Sequence, residues 1–167
     1  MKAWRIVGPK YAASSLDGLG AALYPGRWNH AGIRMVYLAE SLALAVLETL
    51  VHMDISQAPA ESRTVLVEIP DDLPYTLLAA NQLPGDWDAI PGPESLKDIG
   101  TQWAQAGREA ILIVPSAVVH QEHLVLLNPL HPDATRITHQ APEAFTYDQR
   151  LRPVLSQPIK RKPSKKS

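Results

Sequence analysis

Glu48 stands where a carboxylate is hard to accommodate. It lies in LALAVLETLVH, residues 42–52, with Leu47 before it and Leu50 and Val51 just after. Leucine and alanine make this stretch a helix built for burial, and an isolated buried carboxylate is strongly disfavoured. Glu48 therefore needs a partner, such as His52 one turn on or a basic residue across an interface, or it lines a wet cleft. Arg27, in GRWN at 26–29, poses a similar choice. Its planar fork suits a phosphate, and Gly26 lets backbone approach closely. The plain alternative is a surface arginine packed beside Trp28. Tyr37 sits within the apolar run IRMVYLA, where core packing with a satisfied hydroxyl is the ordinary role. Ser116 follows the run AILIVP without a Gly-x-Ser-x-Gly context, as a turn serine would. Asn128 precedes Pro129 and reads as a strand-ending turn. Neither a Walker loop nor GxGxxG is present.

The elements that must position these residues follow from apolar periodicity and breakers. KAWRIV at 2–7 is predicted as a strand ended by Gly8-Pro9, and 8–32 as mostly loop. Residues 33–39 are predicted as a buried strand, Ser41 as a helix N-cap and 42–53 as helix. Further strands are expected at 63–70, 75–78, 110–115, 123–129, 136–139 and 144–148. A turn-rich segment at 85–93 leads into a second helix. There Ser95 and Asp98 form a capping-box pattern, Leu96, Ile99, Trp103 and Ala106 share one face, and Gly107 stops it. The sum is a single mixed α+β domain with several strands, mainly antiparallel, and two helices. The segment 152–167 differs in character. It holds Pro153, Pro158 and Pro163 and the basic cluster Lys160, Arg161, Lys162, Lys165 and Lys166, so the expectation is a domain at 1–151 and a disordered basic tail.

Composition narrows the function classes. The 167 residues suffice for one domain with a real core. At 46% hydrophobic and 20% charged they fall in the globular class. A net charge of −1 gives no strong pull toward nucleic acid or membrane. The absence of cysteine removes disulfides, thiol nucleophiles and thiolate metal sites, and it fits a reducing cytoplasm. The six histidines lack paired metal-ligand spacing. MKAWRIVGPKY lacks a signal-peptide core, and no apolar run approaches the roughly 20 residues a membrane span needs.

Taken together and in order, these segments resemble the RES domain, a bacterial family named after an Arg, a Glu and a Ser. AWRIV resembles its opening strand. GRWNHAGIRMVYLAESLALAVLETLVH resembles its Arg-to-Glu block, and GDWDAIPGP through Ser116 to Asn128-Pro129 its second half. FTYDQRL at 145–151 resembles its closing segment, so the likeness spans roughly residues 2–151. The resemblance implies an ADP-ribosyltransferase-like fold and the toxin of a two-gene toxin–antitoxin system. It further implies breakdown of NAD⁺ by hydrolysis or phosphorolysis, or transfer of ADP-ribose to a protein; an inactive partner-binding module is a third reading. Carried over by motif, Arg27, Tyr37, Glu48 and Ser116 are the implied catalytic residues. Arg27, Tyr37, Ser116 and Asn128 are the implied NAD⁺ contacts. No metal or cofactor is implied beyond NAD⁺ as substrate, with inorganic phosphate as a co-substrate. The implied partner is an antitoxin, a helix-turn-helix protein forming a hetero-oligomer with the toxin, through which any DNA contact would come.

Overall fold

The computed structural model describes residues 1–52, 61–148 and 150–151. Eight strands among them form one sheet: β1 (Lys2–Val7), β2 (Val36–Ala39), β3 (Ser62–Glu68), β4 (Tyr75–Leu77), β5 (Ile111–Pro115), β6 (His123–Leu127), β7 (Thr138–His139) and β8 (Glu143–Phe145). The order is β4-β5-β6-β2-β1-β3-β7, with β8 also on β3. All pairs are antiparallel except β4 with β5. Three α-helices among the described residues accompany the sheet: α1 (Leu19–Leu23), α2 (Leu42–Leu50) and α3 (Glu94–Ala106). This is the α+β class, with a mixed and mostly antiparallel sheet, that the strand-rich sequence pattern predicts.

Strand alternation divides the apolar side chains between two faces. Val36 and Leu38 of β2 point to one, among Ala3, Val65, Val67, Ile111, Val125 and Leu127. Tyr37 and Ala39 point to the other, among Leu112, Val114, Leu124 and Leu126. The first face is covered by loops and short 3₁₀ turns through Ala12, Leu16, Ala134 and Ile137. The second is covered by α2, through Leu44 and Ala45, and by α3, through Leu96, Ile99 and Trp103. Each fully buried aliphatic side chain contributes about 1.5–3 kcal/mol, so these contacts fix both helices against one side of the sheet.

Local signals explain most boundaries. The Ser41 hydroxyl accepts a hydrogen bond from the Leu44 amide at 3.0 Å, the N-cap of α2. Gly107 ends α3 with φ at 55°, in the left-handed region. The start of α3 departs from the capping-box pattern. Pro93 occupies the N-cap with no side-chain cap, and Ser95 lies inside the first turn. Asp98 instead turns to the His30 ring, 2.8 Å away. The strand expected at 33–39 is shorter, because Ile33 to Met35 belong to the incoming loop. The segment expected as loop contains α1, and the expected tail, 152–167, lies outside the described residues. No helix among the described residues is long and apolar enough to cross a membrane.

Candidate active site

Ser116 and Glu48, 68 positions apart, meet through one short hydrogen bond. The Ser116 hydroxyl donates to Glu48 Oε1 at 2.7 Å. Topology brings them together. β2 ends beside the start of β6, since Ala39 pairs with Leu124, and α2 sets off from there across the sheet. β5 ends at the same place, where Pro115 pairs with His123, so Ser116 emerges next to α2. The serine is fully buried and tightly held. Its amide donates to the Glu122 carbonyl at 2.9 Å, and its Oγ accepts from the amides of Val118 and Val119, each at 3.0 Å. With two N–H donors on its oxygen and its proton on Glu48, Ser116 orients the carboxylate rather than offering a free nucleophile. Glu48 itself is half-buried. Among the described residues no ion pair joins it to His52, so the partner that the helix demands is the serine that follows a distant strand.

Arg27 lies in the loop that precedes β2, against the sheet face that carries α2 and α3. Its Nη1 donates to the carbonyls of Trp87, at 2.8 Å, and Ala89, at 3.0 Å. Gly92 closes on the same guanidinium, since a Cβ there would sit 2.8 Å from Nη1. Only Nη1 is engaged by these contacts, which leaves the Nη2 and Nε edge as the fork for an anion. The loop carrying Arg27 is anchored on α3. Gly100 packs so closely on it that a Cβ would overlap the Trp28 carbonyl oxygen at 1.9 Å. The His30 amide donates to Thr101 Oγ1 at 3.0 Å.

Tyr37 projects from β2 toward that loop. Its hydroxyl donates to Asn29 Oδ1 at 2.7 Å and accepts from the Trp28 amide at 3.0 Å. Burial pushes its pKa well above the usual phenol value, with the Trp28 amide opposing the rise. The proton therefore stays on the oxygen at neutral pH. Asn128 lies elsewhere. Its Nδ2 donates to the Ala104 carbonyl at 2.9 Å and its Oδ1 accepts from the Leu130 amide at 3.1 Å. It follows β6 at the end opposite Ser116, about 20 Å away along the strands. A depression of about 320 Å³ lined by Thr76, Ile99, Gln102, Trp103, Ala106, Arg108 and Glu109 also opens at that distant end. The structure thus brings Glu48 and Ser116 into contact, places Arg27 and Tyr37 on the same sheet face, and keeps Asn128 apart.

Three residues that sequence reasoning did not single out shape this face: Asn29, Trp87 and His120. The Trp87 and His120 rings lie 5.2 Å apart, linking the loop that holds Arg27 to the loop that follows Ser116. Asn29 is fully buried and hydrogen-bonded on both of its polar atoms. An asparagine three residues after Gly26 carries a local turn signal, but its bond to Tyr37 is visible only in three dimensions.

Comparison with known proteins identifies the family of the chain. The RES domain profile matches residues 2–148. The chain is 41% identical over 152 residues to "Prs ADP-ribosylating toxin" of Sphingobium sp. (strain YBL2), covering 89% of this chain and 94% of that one. It is 40% identical over 153 residues to "Toxin Res" of Yersinia enterocolitica serotype O:8, covering 91% of this chain and all of the relative. Its fold is similar to a chain of the M. tuberculosis MbcT–MbcA toxin–antitoxin complex, with a TM-score of 0.69 at 18% identity over 87% of this chain and 84% of that one. The order of motifs, the extent of the match and the identity to these relatives agree, and the chain belongs to the RES domain family.

Proposed function

We propose that this protein is the toxin of a two-component toxin–antitoxin system and that it cleaves the nicotinamide–ribose bond of NAD⁺. The observation that carries the reading is the 2.7 Å bond from Ser116 to Glu48, on the sheet face that also presents Arg27. The bond to be broken joins the ribose anomeric carbon to the pyridinium nitrogen. Nicotinamide departs as a neutral base, and positive charge develops on the ribose as in glycoside hydrolysis. Glu48 supplies negative charge at that point. Ser116 holds Oε1, so Oε2 remains for the ribose hydroxyls and the developing cation. Arg27 grips the pyrophosphate through its outer edge, and Tyr37 holds the loop that carries this arginine. Attack by water on the anomeric carbon, with loss of one proton, gives ADP-ribose, nicotinamide and H⁺. Attack by inorganic phosphate gives the phosphorylated sugar instead.

The name of the Sphingobium relative favours a second reading, in which a protein side chain takes the place of water or phosphate. Both readings use the same clamp and the same carboxylate. Purified protein incubated with NAD⁺ carrying label in its adenosine half separates them. Free nicotinamide with label in small molecules supports degradation, label on protein from added lysate supports transfer, and intact NAD⁺ in both mixtures overturns both. The likeness to a chain of a toxin–antitoxin complex supports a protein antitoxin as the partner, and the RES resemblance implies one of helix-turn-helix type. Expression of the toxin alone should then lower cellular NAD⁺ before growth stops, and co-expression of the antitoxin should restore both.

A further inference from the structure

Asn29 is the most heavily bonded side chain near Arg27, and its bonds have a single consistent polarity. Its Nδ2 faces three carbonyls, those of Ala21 at 2.8 Å, His30 at 3.0 Å and Ile33 at 3.2 Å. Its Oδ1 faces the Gly26 amide at 3.0 Å and the Tyr37 hydroxyl at 2.7 Å. Carbonyls only accept and an amide only donates, so the orientation of the side chain is fixed by its surroundings. The Tyr37 proton must go to Oδ1, which leaves a phenol lone pair for the Trp28 amide. Gly26 and Trp28 are the two residues flanking Arg27. Their backbone N–H groups are therefore gripped by two side chains that also grip each other.

We propose that Asn29 and Tyr37 form a bracket around Arg27 and act as positioning residues for anion binding by its guanidinium. This rests on the reading of Arg27 as the group that holds the pyrophosphate. Gly26 belongs to the same device. A Cβ there would lie 2.6 Å from the Tyr37 hydroxyl and 2.7 Å from Cζ, so only glycine lets the phenol reach the peptide. The bracket also spends the Tyr37 proton inward. The tyrosine acts on the ligand through the loop it holds, and it donates no proton to the reaction.

Two measurements on the full chain test this. The first is amide hydrogen exchange in Tyr37→Phe, which removes one oxygen and keeps the ring. Exchange at the Trp28 amide should speed up at least tenfold while protection across β1, β3, β5 and β6 is retained; unchanged protection at Trp28 overturns the bracket. The second is NAD⁺ affinity by calorimetry. Tyr37→Phe should weaken binding roughly five- to tenfold, the scale of one lost hydrogen bond. The same change made in Arg27→Ala protein should weaken it no further, because its effect passes through the guanidinium. An equal loss in both backgrounds means that Tyr37 touches the ligand or supports the fold independently, and overturns the positioning role. Wild-type affinity in Arg27→Ala would instead remove the reading of Arg27 beneath it, and the positioning role with it, while the exchange result still judges the bracket. Asn29→Ala should repeat the Tyr37→Phe pattern and add faster exchange at the Gly26 amide. If that variant fails to fold, Tyr37→Phe decides alone.

Discussion

Trp87 and His120 meet ring to ring, with centroids 5.2 Å apart and planes tilted by 53°. The contact joins two loops that have no backbone pairing with each other. One supplies the carbonyls that hold Arg27, and the other begins with the serine that holds Glu48. His120 Nε2 also lies 3.6 Å from Asp88 Oδ2, beside Trp87 in the first loop. Trp87→Ala should let the loops drift apart and weaken NAD⁺ binding about tenfold, since small misplacements of binding groups are amplified in affinity and rate. Calorimetry on the folded variant checks this. Unchanged affinity would mean that each loop is held by its own contacts.

Glu48→Gln should keep the fold and most NAD⁺ binding. The Ser116 hydroxyl can still donate to the amide oxygen, but full negative charge is lost where the ribose becomes cationic. Turnover should fall about 10²–10³-fold, the usual effect of removing one preorganised electrostatic group. Nicotinamide release under saturating NAD⁺ is the assay, and parental turnover would make Glu48 a structural residue only.

Two glycines at close contacts should respond to alanine in opposite ways. At Gly100 the new methyl meets the Trp28 carbonyl oxygen at 1.9 Å, which is backbone and cannot swing aside. Gly100→Ala should destabilise the domain by about 1–3 kcal/mol, the usual cost of overpacking. At Gly92 the methyl meets the tip of Arg27 at 2.8 Å, and that tip can move. Gly92→Ala should melt close to the parent yet bind NAD⁺ more weakly. Thermal unfolding and calorimetry on both variants, read side by side, check the pair.

Alkaline pH should expose Tyr37. Its pKa is raised in the folded state by burial, so the folded protein holds this proton to higher pH than the unfolded chain does. The associated stability is complete below about pH 10, the ordinary phenol value. Above it stability falls by about 1.4 kcal/mol per pH unit for each such group. Tyr37→Phe should flatten this limb. Burial raises Tyr147 as well, so a smaller slope should persist. Urea unfolding of parent and variant from pH 9 to 11 gives the difference directly, and parallel curves would show that the phenol is not held as described.

Much of the scaffold was legible in local chemistry. Ser41 and Gly107 cap and stop their helices as such residues do, and the apolar runs around β1, β5 and β6 became strands. The failures share a cause. Ser95 and Asp98 have the spacing of a capping box, but Pro93 already supplies the extended N-cap conformation and Asp98 is drawn to His30. Glu48 was readable as a carboxylate in need of a partner, yet the sequence offered His52 at helical spacing, while the structure supplies Ser116 from 68 positions away. Arg27 was readable as a fork. That one of its nitrogens is committed to the carbonyls of Trp87 and Ala89 was not, because loop carbonyls leave no mark in residue type. Asn29 beside Trp28 looks like any turn asparagine until Tyr37 arrives from β2.

The strand order gives this chemistry a safeguard in time. β2 lies between β1 and β6, so the middle of the sheet stays open until residues near the far end of the domain have been made. A polypeptide stopped before Ser116 holds Arg27 and Glu48 but lacks the serine that aims the carboxylate and the strand that closes the sheet beside β2. If the protein consumes NAD⁺ as proposed, an interrupted round of synthesis leaves a fragment without the aimed carboxylate. On that reading the Ser116–Glu48 pair is complete only when the sheet itself can close.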